Sequence, residues 1–172
     1  MRLAIFDIKG ITRIDNTRRG VWISFLAPLL VIPLMLWLTG LQASGNSNIN
    51  SVFFLRQALG NIVVVFGFPL AMYYITNFLE RGARYYLMVA TVNWTAPIQT
   101  LVMTVGYVFY FWNLLPGLGE VILMAASAYN MLYLWFSIRV SLDISRGLAV
   151  LLVCLMAMIQ MMGLLLTQVK FF

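Results

Sequence analysis

The sequence predicts an all-α polytopic membrane protein, with five transmembrane helices preceded by an amphipathic helix lying on the membrane surface. Three observations carry that expectation. Of the 172 residues, 63% are hydrophobic and 9% charged, whereas a soluble domain has about 45–50% and roughly 25%. Five apolar runs reach the roughly 20 residues needed to cross hydrocarbon about 30 Å thick. The charges collect at the ends of those runs and not inside them. Eleven cations and five carboxylates cannot coat a soluble globule of this length. An outer-membrane barrel is excluded as well, because its segments alternate polar and apolar over about ten residues.

The first element is predicted over residues 1–17. On a helical wheel Arg2, Lys9 and Arg13 share one face, while Met1, Ala4, Ile8, Ile11 and Ile14 gather on another, with Phe6 and Asp7 out of place. That segregation describes a helix lying in the interface, its cations extended by Arg18 and Arg19, each contributing about 1 kcal/mol against anionic lipid. A partly ordered tail is the competing reading. Asp7, Lys9, Arg13 and Asp15 interrupt the segment and rule out the apolar core of a signal peptide.

The spans follow at about 22–41, 59–79, 86–112, 118–138 and 148–169, within a single integral membrane domain covering 1–172. Residues 42–50 are polar and uncharged, suited to water; Ser51, Val52, Phe53, Phe54 and Leu55 form a short apolar segment before Arg56. Asn113, Pro116 and Gly117 signal a turn between the third and fourth spans. Asp143 and Ser145 stand where they would cap the fifth. Prolines 28, 33, 69 and 97 fall in the first three spans, either as kinks that neighbours re-satisfy or as the broken helices of a transporter.

Orientation follows from the cations. Arg2, Lys9, Arg13, Arg18, Arg19, Arg81, Arg84, Arg139 and Arg146 fall on one side of the layout, and only Arg56 and Lys170 on the other. The positive-inside rule places the N-terminus in the cytoplasm and the C-terminus outside. The net charge of +6 is thereby explained as topology, and nucleic acid is not an expected partner.

Few residues could carry chemistry. There is no histidine, and the lone Cys154 sits in an apolar run as a small hydrophobe. Apart from Glu120 at the outer end of the fourth span, no Asp, Glu, Lys or Arg falls within any span, which removes the usual mark of pumps and proton relays. Glu120, at the start of the fourth span, reads as a helix N-terminal carboxylate. The amides Gln99, Asn130 and Gln160 fall near mid-span, with Asn93 one or two turns nearer the cytoplasm. Interhelical hydrogen bonding is the reading placed first for them, and a small-molecule or quinone-type pocket that includes Tyr107 and Tyr129 second. Ala125, Ala126, Ser127 and Ala128 form a run of small residues expected to be the central helix contact, with Ala125, Ser127 and Ala128 named as contact residues. The methionines Met156, Met158, Met161 and Met162 spread around their helix as apolar filler. No metal or cofactor is expected.

Five crossings with this orientation are an uncommon layout. Together with Phe6-Asp7, Arg18-Arg19-Gly20-Val21-Trp22-Ile23-Ser24-Phe25, Tyr85-Tyr86 and Asn93-Trp94, the chain resembles the Yip domain family of small integral membrane proteins, in particular its bacterial members of alphaproteobacterial type. It has neither the long acidic cytoplasmic domain nor the Asp-Leu-Tyr-Gly-Pro type signature of eukaryotic members. The resemblance implies membrane organisation or scaffolding in a bacterial inner membrane, with no catalytic residues to carry over. The leading expectation is a non-enzymatic scaffold or accessory subunit, with the lipid bilayer and other integral membrane proteins, or copies of itself, as partners. The alternative is a transporter or channel component using the proline-kinked spans and mid-span amides.

Overall fold

A computed structural model describes residues 2–43, 51–112, 115 and 117–168, and the side chains of 2, 39, 41–43 and 166–168 are outside that description. The side chain of Arg2 and the whole of Lys170, both counted in the charge asymmetry, therefore lie outside the described residues. Two 3-10 turns, Arg2–Ile5 and Ile8–Arg13, precede six helices: α1 (Arg18–Ser24), α2 (Leu26–Ala43), α3 (Ser51–Phe78), α4 (Tyr85–Phe111), α5 (Gly119–Leu142) and α6 (Arg146–Gln168). A further 3-10 turn, Gly82–Arg84, joins α3 to α4. Among the described residues there is no strand.

Four stretches are long and apolar enough to cross a membrane: Arg18–Leu38, Ser51–Phe78, Gly119–Leu142 and Arg146–Leu165. The first runs through α1 into α2, bent at Phe25. The bend has a cause: Pro28 lacks the N–H that would bond the Ser24 carbonyl, so the ladder is interrupted there. Helix α3 starts at Ser51, so the apolar segment 51–55 and Arg56 belong to one continuous 28-residue helix and not to a separate interfacial piece. Helix α4 has 27 residues, about 40 Å at 1.5 Å per residue, but carries Thr91, Asn93, Thr95, Gln99, Thr100 and Thr104. It packs against α1, α2, α3 and α5.

Helices pair in antiparallel fashion. Along α4 and α5, Gln99 faces Asn130, Met103 faces Ser127, Gly106 faces Leu123 and Ala126, and Phe109 faces Gly119. Along α3 and α6, Gly67 faces Ile159 while Gly60 and Val64 face Gly163. Helices α1 and α2 pack on the other side of α4. The small-residue run of α5 meets α4 at Ala126, which is buried against Gly106; Ser127 is half-buried, and Ala125 and Ala128 are exposed. A second close approach is at Gly163, where a Cβ would stand 2.8 Å from Val64 Cγ2 and 3.0 Å from the Gly60 carbonyl oxygen.

One end of the bundle is tied by charge and caps. Asp143 adopts a left-handed conformation (φ 54°) that ends α5, and its carboxylate lies 3.3 Å from Arg84 and 3.8 Å from Arg81. Asp143 therefore serves the close of α5, while Ser145 caps α6 by accepting from the Leu148 N–H at 3.3 Å. These partly exposed ion pairs contribute at most about 1 kcal/mol, yet they fix the α3–α4 and α5–α6 connections at the same end. Below them lies the apolar core of Phe68, Met72, Met88, Val89, Leu134, Ile138, Leu142 and Leu152.

The N-terminal segment differs most from expectation. Residues 2–13 form two 3-10 turns with Phe6 between them at φ 58°, and not one amphipathic α-helix. Asp7 Oδ1 accepts from the Lys9 N–H at 3.0 Å and starts the second turn. The segment folds against α5: Leu3 packs with Tyr133 and Phe136, the Tyr129 hydroxyl donates to the Ala4 carbonyl at 2.7 Å, and Phe6 meets Tyr129, Tyr133 and Phe136 edge-on. Aromatic contacts 123 to 130 residues away in sequence, worth about 0.5–1.5 kcal/mol each, outweigh the local helical period. Lys9, Arg13, Arg18 and Arg19 remain exposed.

Gly163→Val should lower stability by about 1–3 kcal/mol, because the contact at Gly60 is backbone and cannot yield. Gly147→Ala, with nothing within 4 Å of its Cβ, should leave the unfolding midpoint unchanged. Thermal unfolding of the two purified variants in the same detergent distinguishes them, and equal midpoints would contradict the close approach.

Candidate functional site

The interior of this bundle holds polar side chains among its apolar core, while its surface is largely apolar. Buried polar side chains are Ser24, Thr76, Thr91, Asn93, Thr95, Thr100, Ser137 and Ser141, whereas Leu30, Leu70, Met124, Leu132, Leu151 and Met158 stand more than half exposed. Most interior hydroxyls are satisfied by their own helices: Thr76 donates to the Met72 carbonyl, Thr91 to Leu87, Thr95 to Val92, Thr104 to Thr100 and Ser141 to Ile138. Such back-bonding is the ordinary way for Ser and Thr to sit inside a helix bundle.

The amides act between helices. Asn93 Nδ2 donates to Ser24 Oγ at 2.9 Å, joining α4 to α1, and Ser24 Oγ donates to the Val21 carbonyl at 2.7 Å. Both ends of that link stand where a proline has freed a carbonyl, Pro28 for Ser24 and Pro97 for Asn93. Gln99 Nε2 donates to the Asn130 carbonyl at 3.2 Å and Asn130 Nδ2 to the Gln99 carbonyl at 3.1 Å. That reciprocal clamp locks α4 to α5 at mid-length. Gln160 is exposed on α6 and takes no part in these links.

All four amides nevertheless line one cavity. It has a volume of about 590 Å³ and walls from α2, α3, α4, α5 and α6, within the 300–1,000 Å³ of ordinary ligand sites. The wall from α4 and α5 is polar, with Asn93, Gln99, Thr100, Tyr107, Ser127 and Asn130; the facing wall from α2, with Pro28, Ile32, Met35 and Leu38, is apolar. Its floor is the buried core at Phe68, Val92 and Leu134. Toward the other end, away from the Arg81–Asp143 link, Asn61, Tyr107 and Gln160 are half-exposed or exposed. The shape is a cup, closed at the arginine-rich end. The described lining holds no carboxylate, ammonium or guanidinium group.

Two lining residues each have one fully enclosed atom without a hydrogen-bond partner, Thr100 Oγ1 and Asn130 Oδ1. A third, Ser137 Oγ, lies outside the cavity. Another hollow of about 610 Å³ runs along the outside of α1 past Arg18, Arg19, Trp22 and Ile23 to Leu26. Its walls come from that stretch alone and enclose nothing on the opposite side, so the central cup is the candidate site.

No protein family, curated protein or solved structure matches the chain. The chemistry of the site therefore rests on its geometry. Sequence reasoning missed Asn61, because a second span starting at Leu59 put it at a water boundary where an amide needs no partner. With α3 starting at Ser51 it lies inside the helix, three turns in.

Asn130→Leu removes one half of the clamp and should cost about 0.6–1.7 kcal/mol, the range of interhelical hydrogen bonds in membrane bundles. Gln160→Leu breaks no interhelical bond and should change stability by less than about 0.5 kcal/mol. Denaturant titration of both variants in mixed micelles tests the division between clamp and lining.

Proposed function

We propose that the chain is a non-enzymatic protein of a bacterial inner membrane, crossing it five times, whose central cup takes up a small uncharged guest as part of a transporter or channel. The observation that carries this reading is the convergence of Asn61, Asn93, Gln99, Asn130 and Gln160, from four different helices, on a single cavity whose described lining carries no charge. The alternative named from sequence, transport through proline-kinked spans and mid-span amides, is thereby placed ahead of simple scaffolding. A scaffold needs helix contacts but no cup.

The fifth crossing is α4. It runs antiparallel to α5 and covers the same length, with its start beside the Arg81–Asp143 end and its close beside Gly119. If α5 crosses, the two ends of α4 lie on opposite sides. Its polar residues count against it by composition, but most of them point inward, where lipid does not reach. The arginine-rich end, with Arg81, Arg84, Arg139 and Arg146, is assigned to the cytoplasm, together with the N-terminus, and the mouth of the cup to the outside. The resemblance to the Yip domain family supports the same layout. The N-terminal segment, with Ile5 and Ile8 exposed beside Lys9 and Arg13, is assigned to the inner interface.

Scaffolding is the second reading, an accessory subunit of a larger assembly or a homo-oligomer. It is favoured by α6, the least covered of the four apolar helices, whose Met158, Met161 and Met162 face outward.

Two experiments test the proposal. With Cys154 replaced by serine, Ala83→Cys and Leu118→Cys should react with an impermeant maleimide from opposite sides of right-side-out vesicles; labelling from the same side would remove the fifth crossing. Proteoliposomes containing the protein should swell faster in isosmotic glycerol or urea than protein-free ones, and Ala157→Trp, which fills the cup from α6, should return swelling to the protein-free rate with helix content unchanged. Swelling that ignores Ala157→Trp would leave scaffolding as the function.

A further inference from the structure

Of the described residues lining the cup, all are buried or half-buried except Met131, Ala157 and Gln160. Met131 belongs to α5, and Ala157 and Gln160 to α6. Met131 lies eleven residues before the end of α5 at Leu142, and Ala157 eleven residues after the start of α6 at Arg146. At 1.5 Å per residue, both stand about 16 Å from the turn that joins the two helices. The wall of the cup is therefore exposed at one level, near mid-length of two neighbouring helices. The partners of those helices explain why they part there. Between the turn and that level they share the buried core of Leu134, Ile138, Leu142 and Leu152, and Trp135 Nε1 donates to the Arg146 carbonyl at 3.1 Å. Beyond it α5 follows α4, with Ala126 on Gly106 and Gly119 on Phe109, while α6 follows α3, with Gly163 on Gly60 and Val64. Two close-packed pairs that diverge from one turn leave a slot between α5 and α6.

We infer that the cup opens sideways into the bilayer between α5 and α6, and that its guest is an uncharged, lipid-soluble molecule with a small polar group; the inference rests on the reading of the cup as a guest site in a membrane. A point about 16 Å along a helix that crosses about 30 Å of hydrocarbon is surrounded by acyl chains and not by water. What enters through such a slot must first dissolve in the bilayer. Charge is excluded by the lining, whose described residues offer no opposite charge to an ion taken out of water. A plain alkane would make no use of Gln160, which stands at the lip and makes none of the interhelical hydrogen bonds. At that depth there is no water for its amide to bond, so a polar group carried past it is favoured. Pro28, Ile32, Val65 and Met156 offer apolar contact to the rest of the molecule. The volume of about 590 Å³ corresponds to about twenty waters at roughly 30 Å³ each, room for a polar group and a stretch of chain. The slot comes in addition to the half-exposed end of the cup at Asn61 and Tyr107.

The test uses the full chain in phosphatidylcholine liposomes and a long-chain alcohol that carries a diazirine on its chain. On α4, Ala96, Gln99 and Met103 form a row that lines the cup, whereas Leu101 and Val105 do not line it and are exposed. After photolysis, mass spectrometry should find the label on the row, and also on Leu101 and Val105, which surrounding lipid reaches in every variant. Ala157→Trp at the α6 lip and Met131→Trp at the α5 lip should abolish labelling of the row. Loss in either variant, with Leu101 and Val105 labelled as before, supports the slot; labelling of the row that survives both tryptophans overturns it. An alkyltrimethylammonium probe with the same chain should leave the row unlabelled, and equal labelling by that cation overturns the uncharged class. If the row is never labelled while Ala157→Trp still blocks glycerol swelling, the lateral route falls and the transport reading stands. If neither effect appears, both fall.

Discussion

Everything in this fold turns on where α4 can put its polar side chains. Hydrocarbon offers no partner to an amide or hydroxyl, and a group left there without one costs several kcal/mol. For a bundle proposed to sit in lipid, the helix carrying Asn93, Gln99 and Thr100 must therefore be the one surrounded by the others. Helices α1 and α2 cover one flank and α5 the other. The remaining pair, α3 with α6, is apolar enough to face outward on its own. Uncharged polar side chains are thus drawn into the core beside the apolar ones, and this makes α4 the hub that the other helices are arranged around.

The prolines gain meaning from the same constraint. Each one frees a carbonyl one turn earlier, and in hydrocarbon a freed carbonyl needs shelter. Two of the weakened turns, at Ser24 and Asn93, are pressed together and bridged by the Asn93 to Ser24 hydrogen bond at 2.9 Å. A third, Pro69, is buried, and its own carbonyl accepts from the Tyr85 hydroxyl at 3.1 Å. The bend between α1 and α2 is thus held at a fixed place, and it is what lets α2 lean over the cup with Pro28 and Ile32 in its wall.

How far the sequence was legible follows from the range of the forces involved. The long apolar helices are written in composition, a local property, and so is the cap at Ser145. The mid-span depth of Gln99 and Asn130 could be counted from span ends, and the two do meet. The N-terminal segment could not be read this way. Its facial segregation fits a helix, but Phe6 and the Ala4 carbonyl find better partners in Tyr129, Tyr133 and Phe136 of α5, contacts that no local pattern encodes. The helix contact at Ala126 falls inside the run of small residues at 125–128. A run of small residues announces a close approach but leaves open which of them faces Gly106, because one position along a helix is a turn of 100°. Asn61 was hidden by an error of eight residues in where α3 begins.

The amides of the cup show why packing and binding are not competing explanations here. An asparagine has two donor hydrogens and an oxygen with two lone pairs. The clamp between α4 and α5 uses the nitrogen of Asn130 and leaves its oxygen over. That oxygen is enclosed with the clamp, out of reach of water, so its cost of about 1–3 kcal/mol belongs to the helix contact, while the same residue also helps to line the cavity. One side chain thus ties α4 to α5 and forms part of the wall they share.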